Sequence, residues 1–270
     1  MIIDKAIAFL TNHFDEHWPE IIIEDVRIGL YLTAVRLSDG SAGVATTLHG
    51  NDKICKKENR RYGDFSPLQI RGRKMSEMFA EKPGNHIMES LRLATLNALS
   101  AGRLRHGKHI LHRNTDPIDL LDLEGSKNIV IVGAFQSYIR KILHTSNTLA
   151  VVELERDALT SEQQHLFVPA KDAHMVIPAA DIVMLTGMTL VNNTLDALLE
   201  LITEKQQVVV TGPSSSIVPD VLFANKVNII GATLITDGDK LMELVSEAGA
   251  GYHLFRYCAE KVSIVKSTPV

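Results

Sequence analysis

Five continuous apolar runs dominate the second half of the chain, and they limit the folds that it can adopt. Unbroken apolar runs are typical of strands that are covered on both faces. Segments with helical periodicity lie between several of these runs, and such an alternation predicts a parallel sheet with right-handed crossovers. The apolar runs lie at residues 128–133, 148–153, 181–187, 206–212 and 227–231, and the helical patterns at 136–143, 194–202 and 239–248. We therefore expect a doubly wound α/β domain with a mainly parallel sheet.

The first half of the chain predicts a different kind of domain, of the α+β class. A β-rich stretch covers residues 26–48, and Asp39-Gly40 within it is a hairpin signal. This pair readily adopts the positive φ angles of a tight turn. Helices are predicted over residues 2–12, 66–80 and 86–101. The polar segment 113–117 then breaks the pattern, so we place the domains at residues 1–115 and 116–270.

Composition excludes several classes of protein. The formal net charge of −4 gives no sign of a nucleic-acid binder, which is usually basic. No apolar run approaches the roughly 20 residues of a membrane span, and residues 1–5 do not resemble a cationic signal peptide. Cys55 and Cys258 lie far apart and indicate no disulfide framework. We expect a cytoplasmic protein that partners neither nucleic acid nor membrane.

The strand exits are the first place to look for a ligand site, because open α/β sheets bind ligands beyond the carboxyl ends of their strands. The first run ends at Gly133, and Glu153 follows it by twenty residues, a spacing at which an acidic side chain can meet a ribose hydroxyl. However, the turn "VGAFQSYIR" has one glycine where the dinucleotide fingerprint has three, and Phe135 and Tyr138 stand where a pyrophosphate needs bare backbone. Standard NAD binding is therefore not expected, and an acidic strand end without a ligand is the alternative interpretation.

The segment "TGMTLVNNT" joins a buried strand to an amphipathic helix and is the strongest ligand signal. Either asparagine could cap the helix, and the free N–H groups of a first helical turn favour anions. A cap needs only one such residue, so the remaining polar groups favour a ligand. The candidate residues are Thr186, Gly187, Thr189, Asn192, Asn193 and Thr194.

The segment "TGPSSSIVP" repeats this arrangement one strand later. Its candidate residues are Gly212, Pro213, Ser214 and Ser215. Their hydroxyls and amides suit a phosphate or a carboxylate, although a plain strand-to-helix turn also favours Gly, Pro and Ser. The Gly-Lys-Ser/Thr ending of a Walker loop is missing.

The eleven histidines raise the question of a metal site. His106, His109 and His112 fall at three-residue intervals that could put them on one helical face, but no acidic residue lies among them and Gly107 weakens the helix. A solvated connector is the favoured interpretation, and no metal ligands are assigned. His174 could titrate near a ligand, or could be an ordinary surface histidine.

A basic segment follows the hairpin. Its cations are Lys53, Lys56, Lys57, Arg60, Arg61, Arg71, Arg73 and Lys74. A solvated loop is the favoured interpretation, and a flap that closes over an anionic ligand is the alternative.

The stretches "DIVMLTGMTLVNNTLDALL" and "VVVTGPSSSIVPDVLF" resemble the heavy-metal chelation domain proteins of prokaryotes. "GLYLTAVRL", "GVATTL" and "LATLNAL" are similar to the first module of that family, so the resemblance covers nearly the whole chain. It implies an enolase-N-terminal-like first domain, a Rossmann-like second domain and a ligand site between them. An intracellular address and a homodimer are compatible with it. Asn97 in "LATLNAL" could face the same cleft, or could be a core amide.

These observations lead to one expectation and two alternatives. We expect a protein that binds a small polar or anionic ligand, of metal-chelating or heterocyclic type, in an interdomain cleft, with a role in heavy-metal chelation or chelator metabolism. The first alternative is an enzyme that uses a nucleotide or S-adenosylmethionine, with Glu153 on the ribose hydroxyls. The second is a noncatalytic metal-binding protein. The sequence identifies no cofactor and no catalytic residue.

Overall fold

The structure, a computed structural model, describes residues 1–13, 20–49, 67–80 and 85–266. The helices are α1 (Ile2–His13), α2 (Met75–Ala80), α3 (His86–His106), α4 (Gln136–Leu143), α5 (Ala173–Val176), α6 (Met188–Val191), α7 (Leu195–Glu200), α8 (Pro219–Phe223), α9 (Gly238–Ser246) and α10 (Gly251–Tyr257). The strands are β1 (Ile23–Ile28), β2 (Leu32–Leu37), β3 (Ala42–Thr46), β4 (Leu111–Arg113), β5 (Asn128–Val132), β6 (Thr148–Glu153), β7 (Phe167–Pro169), β8 (Ile182–Thr186), β9 (Gln207–Thr211), β10 (Ile229–Ile235) and β11 (Ala259–Val265). The predicted mixed α/β class with two different sheets is confirmed.

The first sheet is a three-stranded antiparallel meander in the order β1-β2-β3. The predicted hairpin joins β2 to β3, and Gly40 occupies its turn with φ of +82°. Strand β3 packs against α3 so closely at Gly43 that a Cβ there would lie 2.2 Å from the backbone nitrogen of Ala98. Only glycine therefore permits this contact.

The second sheet has eight strands in the order β4-β11-β10-β9-β8-β5-β6-β7. Strands β5 to β10 are parallel to one another, while β11 runs antiparallel between β10 and β4. The chain builds β5, β6 and β7 outward in one direction and then returns to place β8, β9 and β10 on the other side of β5. This is the order of the classical Rossmann fold, and its switch point lies between β5 and β8.

The two domains share their apolar interior. One face of the second sheet packs with α1, α3 and the inner face of the first sheet in a single large cluster. Helix α4 covers the opposite face of the second sheet. Helix α9 packs on the outer face of the first sheet, where Leu241 and Val245 meet Leu32 and Val44. Both faces of β2 are therefore covered, which explains why the strand is almost entirely buried.

Several element boundaries differ from the sequence prediction. The predicted helix 66–80 begins only at Met75, after turns in the described residues 67–74. Strand β4 lies before residue 115, yet it pairs with β11 in the second sheet. Most of the basic segment, with Lys53, Lys56, Lys57, Arg60 and Arg61, lies outside the described residues. None of the helices within the described ranges has the length and apolar composition needed to cross a membrane.

Candidate functional site

A cavity of about 470 Å³ opens at the carboxyl ends of β5, β6 and β8. This volume falls within the range of about 300–1,000 Å³ that is typical of small-molecule sites. The cavity adjoins the switch point between β5 and β8, which is the usual place for a ligand in an open α/β sheet. Its lining comes from the second domain: Val132, Gly133, Ala134, Phe135, Val152, Glu153, Leu154, Ala170, Lys171, Ala173, His174, Thr186, Met188, Thr189, Asn192, Thr194, Ala197, Leu198 and Leu201.

Gly133 gives the cavity its opening at the end of β5. Its φ of +104° is a conformation that side chains rarely adopt, and a Cβ there would lie 3.0 Å from the Cβ of Thr186. The glycine therefore lets the backbone turn away from the sheet directly beside the next strand exit. Both residues line the cavity.

Charged side chains are concentrated on the β6 and β7 side of the cavity. Glu153 is half-buried at the end of β6, and its carboxylate accepts a hydrogen bond from the backbone N–H of Leu154. Glu153 pairs in register with Pro169 of β7, and Lys171 comes two residues after Pro169. Within the described part of the chain, Lys171 has no ion pair. An uncompensated ammonium group at the cavity favours an anionic or electron-rich ligand.

His174 stands one helical turn after Lys171 and also lines the cavity. Its Nδ1 lies 3.1 Å from the carbonyl oxygen of Lys171. A carbonyl can only accept, so Nδ1 carries the proton and Nε2 of the neutral ring is a hydrogen-bond acceptor.

The segment 186–194 is a helical turn and not an open loop, and this changes the predicted roles of its residues. Thr189 is buried, and its hydroxyl donates to the carbonyl oxygen of Thr186 at 2.6 Å. The side-chain oxygen of Asn192 accepts from both the N–H and the hydroxyl of Thr194, at 3.2 and 2.6 Å. Asn192 therefore closes a local turn, and its Nδ2 amide remains available to donate to a ligand.

The predicted asparagine cap is not formed. Thr194 occupies the N-cap position of α7 and makes no side-chain capping bond. Asn193 adopts a left-handed φ of +58° and is absent from the cavity lining. It approaches Glu89 of α3 instead: burial raises the pKa of Glu89, and hydrogen bonding to Asn193 opposes that rise.

The segment 212–215 faces the first domain. Ser214 is buried, and its hydroxyl accepts from the N–H of Thr46 at 2.8 Å and donates to the Thr46 hydroxyl at 3.1 Å. The hydroxyl of Ser215 is directed at two carbonyl oxygens, those of Gly212 and Gly231. These hydroxyls are committed to contacts within the protein, so they serve packing where the sequence suggested a ligand.

Asn97 lies in the same interface and is 2% exposed. Its Nδ2 donates to the carbonyl oxygens of Val44, at 2.8 Å, and Ser214, at 3.2 Å. Gly187 also belongs to this region, because a Cβ there would lie 2.9 Å from the backbone nitrogen of Ser215.

The candidate residues thus form two groups. The cavity is lined by Gly133, Glu153, Thr186, Thr189, Asn192 and Thr194, whereas the domain interface or its edge contains Gly187, Asn193, Gly212, Pro213, Ser214, Ser215 and Asn97. Lys171 was not predicted as a cavity residue, because the strand before it has only three residues and leaves no visible apolar run. The predicted site residues also did not include Leu154, Met188 and Leu198, which form apolar walls of the cavity.

The three regularly spaced histidines do not form one helical face. His106 ends α3, His109 lies in the following loop, and His112 is in β4. His109 donates from Nε2 to the carboxylate of Asp220 at 3.1 Å, and its ring packs edge-on against Phe223. Across the described ranges, no group of three or more His, Cys, Asp or Glu side chains is placed to hold a metal ion.

Two family models match the chain. Residues 116–264 match DUF364 and residues 12–100 match DUF4213, and both models are described as "Putative heavy-metal chelation". No curated protein matches the sequence.

Two solved structures of DUF364 proteins of unknown function are similar to this chain. The protein from Pyrococcus horikoshii has a TM-score of 0.78 and 19% identity, and the match covers 98% of this chain and 100% of that one. The protein from Desulfitobacterium hafniense DCB-2 has a TM-score of 0.72 and 18% identity, with 98% of each chain covered. At these identities the likeness shows a shared two-domain fold.

Proposed function

The chain belongs to the DUF364 family, described as "Putative heavy-metal chelation", and on that premise we propose that it binds a small organic ligand in the cavity at the carboxyl ends of β5, β6 and β8. The convergence of polar groups on one mostly apolar cavity at the switch point is the observation that carries the proposal. Glu153, Lys171 and Asn192 supply an acceptor, a cation and an amide donor, while Leu154 and Leu198 supply apolar surface. Cavities of this composition are typical of small-molecule sites.

In this proposal the ligand, and not the protein, supplies the atoms that chelate a heavy metal. Across the described ranges the protein offers no cluster of three metal-ligating side chains, so these residues do not fit a metal held by the protein alone. An organic molecule with its own donor atoms needs only the shape, polar groups and charge that the cavity provides. We therefore propose that the protein binds a chelating compound or a precursor of one.

The packing of the domain interface supports a ligand site that lies within the second domain. Asn97 and Ser214 are buried there and bonded across it, whereas the cavity beside Gly133 is open. A ligand between the domains would have to displace these bonds, and a ligand in the cavity displaces only solvent.

A fluorescent probe can test this proposal without knowledge of the natural ligand. We would titrate the full chain with 1-anilinonaphthalene-8-sulfonate, which combines aromatic rings with one anionic group. One saturable site per chain is expected. Ala197→Trp places an indole in the cavity wall and should weaken probe binding about tenfold or more. Ala224→Trp, at an exposed alanine outside the cavity lining, is the matched control and should leave binding unchanged.

A charge reversal at an exposed position provides a second variant that keeps the fold. Lys171→Glu should weaken binding of the sulfonate probe, because the cation that faces it becomes an anion. Equal probe affinity in wild type, Ala197→Trp and Lys171→Glu, with unchanged melting temperatures, would overturn the proposed site.

A further inference from the structure

We propose that the ligand of this cavity is, or contains, a purine ribonucleoside whose 5′ position carries no pyrophosphate. This inference rests on the proposed function and assigns a chemical class to the ligand. Three features support it: the position of Glu153 in the strand order, the donor pattern of the cavity, and the obstruction of the first turn by Phe135.

The strand order places Glu153 where a ribose would lie. Strands β5 and β6 are adjacent and in register, with Val132 opposite Val152, so Gly133 and Glu153 are neighbours at the sheet edge. In the Rossmann arrangement, the acidic residue after the second strand accepts hydrogen bonds from the ribose hydroxyls. Within the described residues, the Glu153 carboxylate accepts a single hydrogen bond, from the N–H of Leu154. An ionised carboxylate has about four acceptor positions, so enough remain for a vicinal diol.

The other polar groups complement a nitrogen heterocycle. Asn192 has its oxygen engaged by Thr194, so its free Nδ2 is a donor, and Lys171 is a donor as well. A ligand must therefore offer acceptors to these two groups, as the ring nitrogens of a purine do. Leu154, Met188 and Leu198 add apolar walls on which a flat base can lie.

The first turn excludes the pyrophosphate of a dinucleotide. The N–H of Phe135, which would start the phosphate-binding turn, donates to the carbonyl oxygen of Gly133 at 2.9 Å. The ring of Phe135 lines the cavity and stacks on Tyr138, with ring centroids 5.3 Å apart and planes 20° apart. Tyr138 is itself buried and donates its hydroxyl hydrogen bond to Asp116. The aromatic pair is thus anchored, and it occupies the space where the glycine-rich fingerprint leaves room for phosphates.

Competition against the fluorescent probe tests this inference. The competitors are adenosine, 2′-deoxyadenosine, S-adenosylmethionine and NAD⁺, which separate a free nucleoside from an extended nucleoside and from a dinucleotide. Adenosine or S-adenosylmethionine should displace the probe, and NAD⁺ should bind about tenfold more weakly than the better of the two. Removal of the 2′-hydroxyl should weaken adenosine binding to wild type about tenfold.

The role of Glu153 is tested by a thermodynamic cycle. In Glu153→Gln, adenosine and 2′-deoxyadenosine should bind with affinities within about threefold of each other, because the carboxylate that reads the hydroxyl is gone. Glu155→Gln, an exposed acidic residue two positions later, is the control and should keep the wild-type difference.

Three results would each overturn the inference. The first is that no nucleoside displaces a probe whose binding is still lost in Ala197→Trp, since the cavity would then bind a ligand of another class. The second is that NAD⁺ competes best, and the third is that Glu153→Gln keeps the full preference for the 2′-hydroxyl. The proposed function itself fails only if the probe is insensitive to the cavity variants.

Discussion

Asn97 joins the two domains, and its replacement by alanine should destabilise the protein by about 2 kcal/mol. The side chain donates to two buried carbonyl oxygens, those of Val44 and Ser214. A buried acceptor that loses its donor costs about 1–3 kcal/mol, so the two together cost about 4 kcal/mol. In the wild type, Asn97 Oδ1 is buried and has no hydrogen-bond partner among the described residues, and its removal recovers about 2 kcal/mol.

Urea unfolding of Asn97→Ala, monitored by circular dichroism, measures this loss. The melting temperature should fall by about 4–8 °C, since 1 kcal/mol shifts it by about 2–4 °C in chains of this size. Ser100→Ala is the control in the same helix, because its hydroxyl is equally buried but bonds only to Leu96 of α3. It should cost less than Asn97→Ala.

Asn97→Asp tests the same geometry through pH. Its carboxylate would face two carbonyl oxygens in a buried site, so its pKa in the folded state should lie above the unfolded value of about 3.9. A group whose pKa is raised on folding favours the folded state most at low pH, and that stability is lost as pH rises through the folded pKa. The variant should therefore be closer to wild type at about pH 5 than at about pH 8. An Asn97→Ala variant as stable as wild type, or a pH-independent penalty in Asn97→Asp, would show that the two bonds of Asn97 do not stabilise the protein.

Three further predictions follow from the packing and charges. Ser214→Ala should cost about 1–2 kcal/mol in urea unfolding, because the backbone N–H and the hydroxyl of Thr46 both lose their partner; an unchanged midpoint would contradict the assigned bonds. Gly43→Ala should cost about 3 kcal/mol of stability or abolish folding, because its Cβ would overlap the α3 backbone. The control Gly102→Ala in α3 meets open space and should gain about 0.5–1 kcal/mol. Similar shifts of the melting temperature in the two variants would count against the close packing at Gly43. Burial alone would raise the pKa of Asp220, but hydrogen bonds from His109 and Lys108 hold that pKa below its ordinary value. This carboxylate therefore stabilises the fold above about pH 4, and that stability is lost as pH falls. His109→Ala should flatten the acid side of the stability curve, and an unaltered curve would remove His109 from that role.

The sequence predicted the central strands because their environment is simple. Strands β5, β8 and β9 are covered on both faces, so their central positions, such as Ile129, Val183 and Val209, are apolar. Strand β11 was missed because its first half carries Glu260 and Lys261 and breaks that pattern. The three-residue strands β4 and β7 are too short to show any periodicity.

Only the cavity residues that lie at strand ends were predictable from the sequence. Gly133, Glu153 and Thr186 follow directly from the ends of apolar runs, and all three line the cavity. The roles of Ser214 and Asn97 depend on how the first domain packs against the second, and no local pattern encodes that contact. A polar side chain that bonds a partner far along the chain looks the same in sequence as one that binds a ligand.

A crystal structure of the full chain with bound 1-anilinonaphthalene-8-sulfonate would locate the ligand and decide whether the site lies within the second domain. We expect difference density for the probe between Gly133, Glu153 and Leu198, with its sulfonate towards Lys171. Density between α3 and residues 213–215, with the bonds of Asn97 and Ser214 broken, would contradict it and place the site between the domains.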